Sequence, residues 1–199
     1  MEEKPLLILA SSSPRRQELI RSLGLPVRIR PSDVDETIEG ELAPADIVET
    51  LADRKASAVY DGLVREGERA GIVVGSDTIV VLDGQVLGKP VNERDAARML
   101  SALQGRDHEV YSGVALIDAE SGEKAVSHRV TRVWMKPMDE ETIRRYITTG
   151  EPNDKAGSYA IQGIGATLVE RIEGDYFNVV GLPLALVSDM LKAFGVRIL

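Results

Sequence analysis

The stretch IVVGSDTIVVLDG, residues 72–84, constrains this chain more than any other. It reads as a continuous apolar strand closed by Asp83-Gly84, a dipeptide that signals a hairpin turn, with Gln85–Leu87 as the return strand. One residue breaks the apolar run: Asp77. A carboxylate buried without a partner costs several kcal/mol, so Asp77 has to be hydrogen-bonded, paired with a cation or bound to a metal. Gly75 and Thr78 beside it allow close backbone approach and add a hydroxyl. The plainer alternative is a bulge or loop in which Asp77 caps a local N–H.

The elements around this strand follow from periodicity and punctuation. Leu6–Ala10 reads as a buried strand. Ser13 reads as an N-cap and Pro14 as the first residue of a helix that runs through Leu19, Ile20 and Leu23 to a stop at Gly24. Val27–Arg30 is a short strand before Pro31, and Ala45 to about Leu63 is a long helix. Asp61–Arg69 reads as an exposed helix end or loop. Asn92 caps a helix whose apolar face is Ala96, Met99, Leu100 and Leu103, with Gly105 behind it. Glu109–Asp118 and Lys124–Lys136 are two long strands joined by a turn. Asp139 caps a helix that stops near Gly150. A polar, Gly-rich loop then runs to Gly165, and Ala166–Ile172 is a further strand. Pro183 opens the last helix. Strands and helices are mixed throughout, which gives an α/β or α+β class. The 199 residues are enough for one domain or two small lobes with a real core.

Arg15 and Arg16 fall in the first turn of the first helix, where the macrodipole is positive. Each mismatch costs roughly 0.3–1 kcal/mol if exposed. The unpaired N–H groups of that turn and the hydroxyls of Ser11, Ser12 and Ser13 are donors too. Together they suit an anion, phosphate above all, against the plainer reading of two solvated arginines. Such arginines would find their stabilising partner in the ligand.

Further candidates are scattered along the chain. Lys55 lies on the apolar stripe Val48, Ala52, Val59 of the long helix, so its ammonium either snorkels to solvent or reaches an anion in a cleft. Lys89 sits in LGKP, close in sequence to the Asp77 hairpin. EPNDKAGSYAIQG, residues 151–163, has the polarity and the glycines of a binding loop, and Gln162 has an amide suited to reading a base edge. DVDE, residues 33–36, is a carboxylate cluster able to hold a divalent ion, though an acidic surface turn is the commoner meaning. His108 and His128 lack metal-ligand spacing and read as ordinary strand residues. Tyr159 and Tyr176 suit either base stacking or a core.

Composition excludes several classes. Formal net charge is −8, which argues against broad nucleic-acid binding without forbidding a small phosphorylated ligand. Cysteine is absent, so no disulfide forms. The apolar runs are too short to span a bilayer, and Glu2 and Glu3 within residues 1–5 are unlike a signal-peptide start. A cytoplasmic location without membrane partners is the expectation. No P-loop, GxGxxG or GxSxG motif occurs.

The pieces LASSSPRRQEL, DVDE, LADRKA, SDTIV, LGKP, YSGVAL, EPNDKAGSYAIQG and GDYFNVVGLPL, in this order, resemble the Maf proteins, a family of nucleoside triphosphate pyrophosphatases once described as septum-formation proteins. The resemblance implies a single Maf-like domain over residues 1–199, with a mixed twisted sheet, flanking helices and two lobes around a central cleft, related to the inosine triphosphatase group. It implies hydrolysis of a nucleoside triphosphate to monophosphate and pyrophosphate with Mg²⁺ or Mn²⁺. Asp77 matches the catalytic acidic residue and Glu36 the acidic residue after the second strand; Asp77, with Glu36, either holds the divalent ion or orients and deprotonates water. Arg15, Arg16, Lys55 and Lys89 match the phosphate-binding set, with Ser11 and Ser13 beside them and Lys89 expected to be catalytic as well. Arg15, Thr78 and Gln162 match the branch acting on dTTP and UTP. A sister branch prefers 7-methyl-GTP. Pool cleaning of modified nucleotides and nucleotide-dependent regulation of cell division are the alternatives. The family allows a homodimer, although no heptad or apolar patch signals one.

Overall fold

Residues 5–199 are described by a computed structural model. Seven strands form one mixed sheet. They are β1 (Leu7–Leu9), β2 (Val27–Ile29), β3 (Ile72–Leu82), β4 (Gln85–Leu87), β5 (Asp107–Asp118), β6 (Lys124–Met135) and β7 (Val169–Glu173). Their order is β2-β1-β3-β5-β6-β7, with β4 paired to β3. β1 runs parallel to both β2 and β3, whereas β3/β4 and β6/β7 are antiparallel. Among the described residues there are also six α-helices, α1 (Pro14–Arg21), α2 (Pro44–Glu66), α3 (Glu93–Leu103), α4 (Glu140–Thr148), α5 (Tyr176–Val180) and α6 (Leu184–Ala193), and three short 3-10 helices between Glu151 and Leu168. The mixed α/β class is as the sequence predicts. Residues 1–4, with Glu2 and Glu3, lie outside the described residues. Among the described residues, no helix is long and apolar enough to cross a membrane.

Two compact units share these elements. The first holds residues up to Asp77, Ser112–Arg129 and Gly181–Leu199. The second holds Thr78–Tyr111 and Val130–Val180. Each has its own core. In the first, α2 lays Ala52, Ala56, Val59 and Leu63 against Ile8, Val73, Ala115 and Ile117. In the second, Ala96, Leu100 and Leu103 of α3 and Ile143, Tyr146 and Ile147 of α4 pack with Val80, Val110, Val133 and Met135. Burying one of the valine, leucine, isoleucine or methionine side chains contributes about 1.5–3 kcal/mol.

Caps and turns fall where the sequence places them. Asn92 and Asp139 accept the N–H of Asp95 and Thr142 at 2.9 and 2.8 Å. Ser13 caps α1 with a longer contact, 3.5 Å to the Arg16 N–H. Asp83 and Gly84 both take positive φ, 51° and 78°, as a tight hairpin turn requires. α2 outlasts its predicted end near Leu63 and stops at Glu66, with Gly67 in the left-handed region after it.

The fold corrects one expectation and adds one element that was not expected. The strand expected from Ala166 begins at Val169, because Gly163–Leu168 winds into a 3-10 helix. Helix α5 has no counterpart in the sequence reading. Its five residues are too few for a periodic signal, and its local cue is the Asp175 carboxylate, which accepts the Phe177 N–H at 2.8 Å.

Candidate active site

The first unit gathers charge around Asp77. α2 lies so close to the sheet that glycine is required beneath it. A Cβ at Gly75 of β3 would sit 2.2 Å from the Ala52 carbonyl oxygen, and one at Gly113 of β5 would sit 2.2 Å from that of Val48. This approach brings Lys55, one turn beyond Ala52, onto the strand that carries Asp77. Its Nζ donates to Asp77 Oδ1 at 2.6 Å and lies 2.7 Å from Glu36 Oε1. Lys55 and Asp77 are both buried, at 8% and 7% exposure, so the pair is shielded from water. Glu36 is exposed and reaches in from the segment after β2. The anion that Lys55 meets is therefore a carboxylate of its own chain.

Arg16 adds a second cation. Its Nε donates to the Gly181 carbonyl at 2.7 Å, and the buried Ser76 hydroxyl donates to the same oxygen at 3.2 Å. Desolvation pulls the Arg16 pKa below its ordinary value. Asp77 opposes that pull, Arg15 adds to it, and Glu36 opposes it. Arg16 thus has a partner within the protein, whatever ligand it also meets. Arg15 is half-buried in the same first turn. Ahead of it, the Ser11 Oγ accepts the Ser13 N–H at 3.2 Å, and the Gln17 amide donates to the Ser12 carbonyl at 3.3 Å. These bonds fold the serine segment over the start of α1.

The second unit carries Thr78, Lys89 and Gln162. Thr78 follows Asp77 in β3 and is half-buried. Lys89 is exposed between β4 and α3. The carbonyl of Gly88 before it accepts the Gly157 N–H at 3.1 Å, which ties this turn to the loop of residues 151–165. Gln162 is half-buried in that loop. Tyr159 is a core residue: its hydroxyl lies 2.7 Å from His108 Nε2, and the two rings meet edge to face. Burial lowers the His108 pKa to about 4, with Asp107 opposing, and raises that of Tyr159. His128 pairs with Glu49 at 2.6 Å in the first unit.

Asp77 and Glu36 fit a hard divalent cation in donor chemistry. Both are carboxylates, and Lys55 Nζ lies within 2.7 Å of each, so one ammonium holds their oxygens near each other. Among the described residues, no cluster of three or more His, Asp or Glu side chains forms a self-sufficient metal cage. One or two carboxylates completed by substrate phosphates is the usual arrangement for Mg²⁺. The sequence reading missed Gly113 and Gly181. Gly113 is visible only as the glycine of YSGVAL, and a backbone carbonyl such as that of Gly181 leaves no mark on residue type.

Residues 6–194 match the family model described as Maf-like protein. A dTTP/UTP pyrophosphatase of Pelotomaculum thermopropionicum is 54% identical over 193 residues, covering 97% of this chain and 98% of that one. Proteins of the same description from Moorella thermoacetica and Desulforamulus reducens are 52% and 50% identical, each covering 96% of this chain and 96% and 98% of their own. Among solved structures, the Staphylococcus aureus Ham1 protein aligns with a TM-score of 0.49 and 14% identity, over 82% of this chain and 79% of that one.

Proposed function

The chain belongs to the Maf family, and on that premise we propose that it hydrolyses dTTP and UTP to the nucleoside monophosphate and pyrophosphate. The observation that carries the reading is the convergence of Asp77, Glu36 and Lys55 beside Arg16, joined to relatives of near-equal length that bear this activity in their names. Water attacks the α-phosphorus, the α–β anhydride bond breaks, and pyrophosphate departs with the bonding electron pair. Asp77 either takes the proton of the attacking water or, with Glu36, holds the divalent ion, and Lys55 donates to its carboxylate. Arg15, Arg16, Lys55 and Lys89 counter the triphosphate charge, with the Ser11 and Ser13 hydroxyls and the α1 N-terminus as further donors. Thr78, Gln162 and Arg15 select the pyrimidine base.

Mg²⁺ or Mn²⁺, held by Asp77 and Glu36, would neutralise phosphate charge and polarise the anhydride. The carboxylates that would hold it are those that Lys55 now bridges, so the lysine also balances their charge.

Product analysis tests the reading. Wild-type protein with dTTP or UTP and a divalent salt should give monophosphate and pyrophosphate, whereas diphosphate and phosphate would place the attack elsewhere. Asp77→Asn should lower turnover by about 10²–10⁴-fold, the range for loss of a positioned base, with the fold retained by circular dichroism. An active Asn variant would overturn the assignment of Asp77.

A further inference from the structure

The segment carrying Gln162 is anchored by a carboxylate that the reaction does not use. Glu151 opens a 3-10 turn directly after Gly150, whose φ is 75°. Its Oε1 accepts the Tyr146 hydroxyl and the Gly165 N–H, both at 2.8 Å. Its Oε2 accepts the Ile164 N–H at 3.0 Å. Tyr146 is buried on α4, and its phenolic oxygen in turn accepts the Ala160 N–H at 3.1 Å. The main chain on both sides of Gln162 therefore hangs on one Tyr–Glu pair. Glu151 is itself fixed: its N–H donates to Thr149 Oγ1 at 3.2 Å, and its carbonyl accepts Lys155 Nζ at 2.8 Å.

The wrap is tight. A Cβ at Gly165 would lie 2.3 Å from the Ala160 carbonyl, 2.5 Å from the Tyr146 hydroxyl and 2.8 Å from Glu151 Oε1. At Gly163, where φ is 64°, a Cβ would lie 2.6 Å from Glu151 Oε2. Burial alone would raise the Glu151 pKa, but the bonds from Tyr146, Gly165 and Ile164, with Lys155 nearby, hold it below its ordinary value. A backbone that fits round a carboxylate this closely has one arrangement for the residues between its anchor points.

We propose that Glu151 is a positioning residue for base selection. With Tyr146 it clamps both flanks of Gln162, so that the Gln162 amide meets the base in one orientation. The proposal rests on the pyrophosphatase reading above. A glutamine at this position turns an NH₂ donor toward groups that are themselves donors, so at least one anchor opens while size is kept. A freed Gln162 amide then loses directionality, which is what separates a pyrimidine from a purine.

The experiment compares wild type, Glu151→Gln, Tyr146→Phe and the double variant, measuring pyrophosphate release from dTTP, UTP and GTP. The preference for dTTP over GTP in kcat/KM should fall by about tenfold or more in each single variant. The loss should fall on KM for dTTP, with kcat changed by less than about threefold. The double variant should be no worse than the weaker single, because both substitutions break one clamp. A general structural role would lower thermal stability and leave the base preference unmoved, and an unchanged preference in Glu151→Gln overturns the proposal. If Glu151→Gln fails to fold, Tyr146→Phe decides by the same ratio. Wild type that releases no pyrophosphate from dTTP or UTP overturns the functional reading and this proposal with it.

Discussion

The charged cluster at Asp77 and the loop around Gln162 solve the problem of holding a polar group still in opposite ways. At Asp77 the partners come from distant parts of the chain: Lys55 from a helix, Glu36 from a connection and Arg16 from another helix start. Two rigid elements set the spacing, and the charges are buried because the elements bury them. Around Gln162 the partners are near in sequence, from Tyr146 to Gly165, and short hydrogen bonds do what secondary structure does elsewhere. The first arrangement should fail by losing the fold or the chemistry outright. The second should fail by losing discrimination while the chemistry continues.

Lys55→Met breaks the comparison at its stronger end. It leaves the buried Asp77 carboxylate without its ammonium, and loss of one partner of a buried pair costs about 3–5 kcal/mol. Denaturant unfolding should show that loss, and turnover should fall with it. A variant as stable as wild type would mean that Arg16 already satisfies Asp77. Gly75→Ala strikes the same cluster through the backbone. With a Cβ 2.2 Å from the Ala52 carbonyl, helix or strand has to shift, for about 3 kcal/mol. The sharper result would be a KM for dTTP that rises with the displacement of Lys55, measured where the variant is still folded.

The third test concerns the second unit and is smaller. His108 is buried and neutral, with a pKa lowered to about 4 by desolvation. Its ordinary value is near 6.5, so protons bind the unfolded chain first. Its contribution is fully present above about pH 6.5 and is lost as pH falls from there towards 4. Between about pH 7 and pH 5 the loss is about 2 kcal/mol. His108→Gln should flatten that part of the stability profile relative to wild type. An equal slope in both proteins would assign the pH dependence to carboxylates instead.

What the sequence shows of this molecule depends on how far apart the partners lie. The caps at Asn92 and Asp139 and the turn at Asp83-Gly84 are legible because residue type and local geometry coincide within a few positions. Asp77 is legible as a residue in need of a partner, since an apolar run makes a carboxylate conspicuous. Lys55 is legible as a cation on an apolar stripe, but the link between the two depends on how α2 lies on the sheet. The anchoring of Arg16 by Gly181 escapes entirely, since any residue offers a carbonyl. The 3-10 helix before β7 escapes for a related reason: Gly163 and Gly165 are shaped by the side chain of Glu151, which no periodicity in their own segment reports.

Gly75 and Gly113 belong to strands that are neighbours in the sheet, and each meets a carbonyl of α2 one helical turn from the other. The pair works as a mechanical stop. Side chains elsewhere in that core can drift in size, but the helix axis comes to rest against main chain. The reach of Lys55 is then measured from a surface with nothing to mutate except the two missing methyl groups. Volume changes among Val59, Leu63 and Ile117 would reach stability first and the ammonium–carboxylate spacing last. This ordering lets the hydrophobic interior diverge while the gauge of the charged cluster stays the same.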